Sequence, residues 1–268
     1  MMKINNMMKI EIEAGQIQGK RNYQQDAYGY RDLSETAKIF ILADGMGGYK
    51  GGEIASDLVV QTFMKESLIH VDSQVLMNVV EEANAKIENY KVGHADVSQM
   101  GTTLIALAIE NDHYQWISIG DSPLYRIYDN KIERINQNHS VAGLLDLQVQ
   151  QGEISQEKAQ EDTNRHLLTS ALTGEGISMI DQSESFKITP NEILLLASDG
   201  VETLSEKEIL ELMSNDKNSP KEKVQELLKS IEKKAKSHQD NATVVMLSFS
   251  SETKRKNPLI AWIKRIIK

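Results

Sequence analysis

Short, nearly unbroken apolar runs recur along the chain: residues 39–43 (IFILA), 103–109 (TLIALAI), 116–119 (WISI), 193–197 (ILLLA) and 243–249 (TVVMLSF). Runs of this length suit strands buried on both faces, as inside a sandwich, better than half-solvated strands. Between LYRIY and KIERI, the pair Asp129-Asn130 predicts a hairpin turn. Elsewhere the period changes. Ile54, Leu58, Val59, Phe63 and Leu68 recur at helical spacing, and so do Leu76, Val79, Val80, Ala83, Ile87 and Tyr90. Ser205 with Glu208 forms a capping box ahead of EILELM, and Ser219-Pro220-Lys221-Glu222 supplies a cap, an N1 proline and an N3 glutamate to VQELLKSIEKKA. The predicted order is strands, two helices, many strands with a helical interruption, two helices and a final strand. No repeat, low-complexity tract or Gly/Ser linker divides it, so residues 1–250 read as one α/β domain.

Composition narrows the class. The chain has 268 residues, enough for a substantial core, and no cysteine. That excludes disulfides, thiolate metal sites and a cysteine nucleophile, and it fits a reducing compartment. A net charge of −9 argues against broad binding to nucleic acid. No apolar run approaches the roughly 18 residues of a membrane span, and MMKINNMMKIEIEAG lacks the apolar stretch of a signal peptide, although its repeated Met residues leave the start open. A cytoplasmic protein is expected. The charge is uneven: residues 251–268 carry six basic residues and one acid, a local +5, which leaves −14 on residues 1–250.

The candidate chemistry lies where aspartates meet the apolar runs. Asp44 follows IFILA, Asp121 follows WISI and Asp199 follows ILLLA, whereas Asp26 and Asp240 precede AYGY and ATVVMLSF. In an antiparallel sheet the end of one strand lies beside the start of its neighbour, so all five carboxylates can meet at one edge. Gathered there, they would raise one another's pKa values unless cations neutralised them. With no thiolate, and no histidine pair at ligand spacing among His70, His94, His113, His139, His166 and His238, the donors are carboxylate, carbonyl and water. Such a set selects Mg²⁺ or Mn²⁺ over Zn²⁺ or Cu²⁺. Glycine after Asp44 and after Asp199 permits a tight turn or a close approach.

Taken in order, GKRNYQQD (19–26), ADGMGG (43–48), MGTTL (100–104), IGDS (119–122), HLLTSALTG (166–174), ASDGV (197–201) and DNATVV (240–245) resemble the blocks of the metal-dependent protein phosphatases of the 2C type, in a bacterial-like member. The resemblance implies a four-layer α/β (α+β) sandwich, with two central, mainly antiparallel sheets flanked by helix pairs. It implies that Asp26, Asp44, Asp199 and Asp240, with the carbonyl of Gly45, hold two Mn²⁺ or Mg²⁺ ions, that Asp121 and Asp199 serve a third, and that Arg21 grips the substrate phosphate. A water activated between two cations would then attack phosphorus directly, on proteins phosphorylated at serine or threonine by a cognate kinase. The chain is expected to act as a monomer.

Several positions depart from the family pattern. Gln25 replaces a usual glutamate before Asp26, Met46 stands where eukaryotic relatives carry histidine, and Pro123 and Ser170 replace usual arginines; the last two are expected to alter surface pairing. Residues 143–165 fall where the family inserts a variable flap. The amphipathic basic segment at 256–268 has the composition of a membrane-surface or partner-docking helix, which would place the protein peripherally at the inner membrane surface. A catalytically weak phosphoprotein-binding regulator and a small-molecule phosphatase with the same centre are the alternatives.

Overall fold

The structure is a computed structural model that describes residues 8–48, 50–65, 71–234 and 237–251. The Met-rich start, Leu68, His70 and the basic tail beyond residue 251 lie outside the described residues. The first half runs β1 (Met8–Ile17), β2 (Asp26–Asp32), β3 (Ala37–Met46), α1 (Gly51–Lys65) and α2 (Ser73–Lys91). Next come β4 (Gly101–Thr102), β5 (Leu104–Glu110), β6 (His113–Ile119), β7 (Leu124–Tyr128) and β8 (Lys131–Arg134). The helices α3 (Val141–Gln150) and α4 (Gln156–Glu161) interrupt the strands, which resume as β9 (Asp181–Gln182), β10 (Phe186–Lys187) and β11 (Ile193–Ala197). The described chain closes with α5 (Glu206–Met213), α6 (Pro220–Lys233) and β12 (Ala242–Ser251).

Two antiparallel sheets result, one ordered β1-β12-β11-β7-β8 and the other β10-β6-β5-β3-β2, with β4 paired to β3 and β9 to β6. The unbroken apolar runs are explained by burial on both faces. Along β3, Ile39, Ile41 and Ala43 pack beneath α1 and α2, while Phe40 and Leu42 point between the sheets. Along β11, Ile193, Leu195 and Ala197 pack against α5 and α6, while Leu194 and Leu196 meet Phe40's layer. Three apolar layers therefore separate four layers of secondary structure. Asp129 and Asn130 both take positive φ, 52° and 57°, in the two-residue β7–β8 turn, the geometry an Asp-Asn pair tolerates best after glycine.

Residues 143–165 fold as most of α3, the loop that follows, and α4. Arg165 clasps them, donating from Nη1 to the Ala159 carbonyl at 2.7 Å and from Nη2 to Asp146 at 3.3 Å. None of the α3 residues is buried, and Leu144 and Leu147 are exposed.

The expectation of surface pairing at positions 123 and 170 is corrected. Pro123 is buried, its carbonyl accepting from the Ala197 N–H at 3.0 Å. Ser170 is buried too, its hydroxyl closed onto the backbone of Met179.

Candidate metal centre

Asp26 opens β2 and stands directly opposite Asp44 in the β2–β3 register. Directly opposed residues of an antiparallel pair share a face, so these two carboxyl groups confront each other. Asp44 is inside β3 rather than beyond its end, because Gly45 and Met46 continue the strand by pairing with Thr102 and Gly101. From the other sheet, Asp199 leaves the end of β11 as the first residue of a 3-10 turn, Asp199–Thr203. Asp240 lies two residues before β12. Asp121 sits in the link between β6 of one sheet and β7 of the other, after Gly120 at φ 100°. Thus two aspartates come from each sheet and one from the crossover, all at the same end of the sandwich.

The surroundings fix these carboxylates individually. Asp26 Oδ2 accepts from Ser198 Oγ at 2.8 Å and from Thr243 Oγ1 at 2.7 Å, so two hydroxyls of one sheet hold an acid of the other. Asp26 Oδ1 is buried and has no hydrogen-bond partner. The Asp44 N–H donates to Thr103 Oγ1 at 3.0 Å, and that hydroxyl meets Ser122 Oγ at 2.7 Å, linking the Asp44 strand to the Asp121 loop. Arg134 Nη2 donates to the Asp121 carbonyl at 2.8 Å. His139 is buried and holds Gly120 from both sides, its N–H donating to the Gly120 carbonyl and its Nδ1 accepting from the Gly120 N–H.

Gly45 and Gly200 keep ordinary negative φ, so tight turns are not their reason. A Cβ on Gly45 would lie 2.2 Å from the Gly52 carbonyl oxygen, and one on Gly200 would lie 1.9 Å from that of Asn241. Both glycines exist for close backbone approach.

Burial and mutual repulsion govern the charges. Asp44 is held well above the usual carboxylate range, first by burial and then by Asp26, Asp199, Asp121 and Asp240. Asp199 is pushed up to about 7, again by burial first and then by Asp121, Asp240 and Asp26. Burial also raises Asp26, opposed by the Thr243 and Ser198 hydroxyls, and raises Asp121, opposed by Arg134. Arg21 Nη2 reaches Asp240 Oδ2 at 2.5 Å; that bond, with further attraction from Asp199 and Asp44, keeps the guanidinium charged.

The aspartates converge without forming a closed cluster: among the described residues, no three carboxylate or imidazole groups are already gathered as a set that could hold a metal ion. A divalent cation fits nonetheless. An orphaned buried carboxylate oxygen, facing acids that repel one another, is the environment a hard cation relieves. A cavity of about 460 Å³, lined among others by Asp129, Asn191, Met213 and Phe249, lies at the opposite end of the sheet and contains none of these acids. Sequence reasoning missed Ser198, Thr243, Thr103, Ser122, Arg134 and Asn241. For Ser198, Ser122, Asn241 and Thr243 the signal was faint, a hydroxyl or amide within three residues of a motif aspartate, and Thr103 and Arg134 had no motif aspartate near them in sequence.

Residues 17–242 match the family model described as protein phosphatase 2C. The serine/threonine phosphatase stp of Listeria welshimeri is 29% identical over 237 residues, covering 85% of this chain and 90% of that protein. Among solved structures, the PPM Ser-Thr phosphatase MsPP from Mycobacterium smegmatis, in complex with cacodylate, is 31% identical with a TM-score of 0.71, covering 88% of this chain and 97% of that one. The catalytic domain of the serine/threonine protein phosphatase PstP, in complex with two manganese ions, is 25% identical with a TM-score of 0.74, covering 91% and 100%. With the sandwich and its edge of aspartates, these likenesses settle the family: the chain belongs to the protein phosphatase 2C family of metal-dependent serine/threonine phosphatases.

Proposed function

We propose that Asp26, Asp44, Asp199, Asp240 and the Gly45 carbonyl hold two Mn²⁺ or Mg²⁺ ions, that Asp121 and Asp199 serve a third, and that Arg21 binds the phosphate of a phosphoserine or phosphothreonine protein. The observation carrying this reading is the opposed Asp26–Asp44 pair, with Asp26 Oδ1 buried and unpartnered. When bound, the cations supply charge neutralisation and acidify a water nucleophile. The chain's own groups do the rest. Ser198 and Thr243 favour the ionised form of Asp26 and orient it, so its free oxygen stays available. Arg21 offers a planar fork to two phosphate oxygens from a side chain that is more than half exposed. Direct attack of such a water on phosphorus would need no covalent phosphoenzyme.

The same reading expects a serine/threonine kinase to supply the substrates, a monomer acting in the cytoplasm, and a flap at 143–165. No helix among the described residues is long and apolar enough to cross a membrane. Docking through residues 256–268 concerns a segment outside the described residues.

Turnover of a phosphothreonine peptide should require Mn²⁺ or Mg²⁺, vanish with chelator and fall at least 100-fold in Asp199→Asn. Metal-independent or absent turnover overturns the enzyme. Faster turnover of free phosphoserine than of the peptide would instead favour the small-molecule alternative.

A further inference from the structure

One buried amide organises the loop that carries Arg21. Residues 18–25 link β1 to β2 without regular structure, and Asn241, only 3% exposed, reaches into the loop from the position next to Asp240. Its Nδ2 donates to the Gln18 carbonyl at 2.8 Å and to the Tyr23 carbonyl at 3.0 Å. Its Oδ1 accepts from the Gln25 N–H at 2.9 Å. Both donors of the amide and one acceptor position are therefore spent on the start, middle and end of a single loop.

The loop is seated on the same short segment by its backbone. The Lys20 N–H donates to the Gln239 carbonyl at 2.8 Å. Gly19, at φ 63°, approaches so closely that a Cβ would lie 2.2 Å from the Asp240 carbonyl oxygen. At the loop's far end, the Gln25 carbonyl accepts from Ser56 Oγ at 2.6 Å and from the Gly45 N–H at 3.1 Å, which registers it against the Asp44 strand. Within the loop, Gln18 Nε2 donates to the Arg21 carbonyl at 2.7 Å.

We propose that Asn241 is a positioning residue for phosphate binding: its side-chain amide sets the 18–25 loop so that the Arg21 guanidinium stands at the acidic edge beside Asp240. Asn241 touches neither phosphate nor cation and acts through Arg21. The proposal rests on the reading of Arg21 as the phosphate-binding group. Without the amide, two carbonyls and one N–H of the loop lose their partners together, and the guanidinium samples positions away from the site.

The test is a double-mutant cycle in the full-length chain with Mn²⁺, read by calorimetric affinity for inorganic phosphate, by KM and kcat on a phosphothreonine peptide, and by Mn²⁺ affinity. Asn241→Ala and Arg21→Ala should each weaken phosphate binding about tenfold and raise KM more than they lower kcat. The double variant should be no weaker than Arg21→Ala alone, because groups acting as a unit are not additive. Mn²⁺ affinity should change by less than about threefold. Gln18→Ala, an exposed change that leaves the buried amide in place, should weaken phosphate binding about threefold, so the idea stays testable if Asn241→Ala fails to fold. Additive losses in the double variant, unchanged phosphate affinity in a folded Asn241→Ala, or unchanged affinity in Gln18→Ala with Asn241→Ala unfolded would overturn the proposal. Unchanged phosphate affinity in Arg21→Ala would remove the Arg21 reading itself, and this proposal with it.

Discussion

Asp26 has one oxygen occupied by two hydroxyls and the other left free, and this asymmetry is what makes a buried acid usable as a ligand. Removing one hydroxyl without changing volume should be felt at the metal. Thr243→Val is expected to weaken Mn²⁺ about tenfold, because groups that hold a ligand in orientation typically carry that much affinity; calorimetric titration checks it, and unchanged affinity would mean Ser198 suffices. The aspartates were legible in the sequence because all five lie at the ends of apolar runs, three just after one and two just before one. Ser198, Thr243 and Asn241 were not, since Ser, Thr and Asn near a turn are commonplace and only their targets across the sheets distinguish them. Gly45 was legible as a required glycine, with a tight turn and a close approach both open, and the close approach is the one that holds. Its φ is ordinary, and the demand comes from the Gly52 and Gln25 carbonyls packed over it.

At the scale of elements, local rules worked where local groups decide. Both capping boxes are present: Ser205 with Glu208, and Ser219 with Glu222, with Pro220 at the first position of α6. Ser205→Ala should destabilise the protein by about 1 kcal/mol, read from the urea midpoint. Glu208, held at about 2 by Lys234 and the Ser205 cap, has a folded pKa below its usual value. Its contribution is therefore complete above about pH 4.5 and is lost as pH falls toward 2. The Ser205→Ala penalty should accordingly shrink in acid. A penalty equal at pH 7 and pH 3 would show that the cap's charge does not matter. Local rules fell short where distant partners decide. β3 outruns its apolar run because β4 supplies hydrogen bonds to Gly45 and Met46. β1 was not singled out, although Ile10, Ile12 and Ala14 alternate with Glu11 and Glu13, because its alternation acquires meaning only from ten residues of pairing with β12.

For the whole molecule, the two sheets meet through apolar side chains over most of their area and through acids at one end, so folding itself concentrates charge there. The doubly buried runs announced the sandwich, whereas the opposition of Asp26 to Asp44 depends on the β2–β3 register and could be located only approximately from sequence. This arrangement ties stability to pH and to cations with opposite signs. Without a divalent ion, Asp199 titrates at about 7 in the folded protein, against an ordinary value of 3.8. Between those two values the folded chain retains a proton that the unfolded chain has released, so this group makes stability fall as pH rises from about 4 to 7. In chelator, the melting temperature of the natural sequence should therefore drop relative to that of Asp199→Asn as pH goes from 5 to 8. A cation takes the proton's place and competes with it. Mn²⁺ at about 100 times its dissociation constant stabilises by about 2.7 kcal/mol, a rise of roughly 5–10 °C for a chain of this length. At one fixed Mn²⁺ concentration the rise should be larger at pH 8 than at pH 6, and should largely disappear in Asp199→Asn. A rise independent of pH would mean that the cation binds away from the aspartate edge.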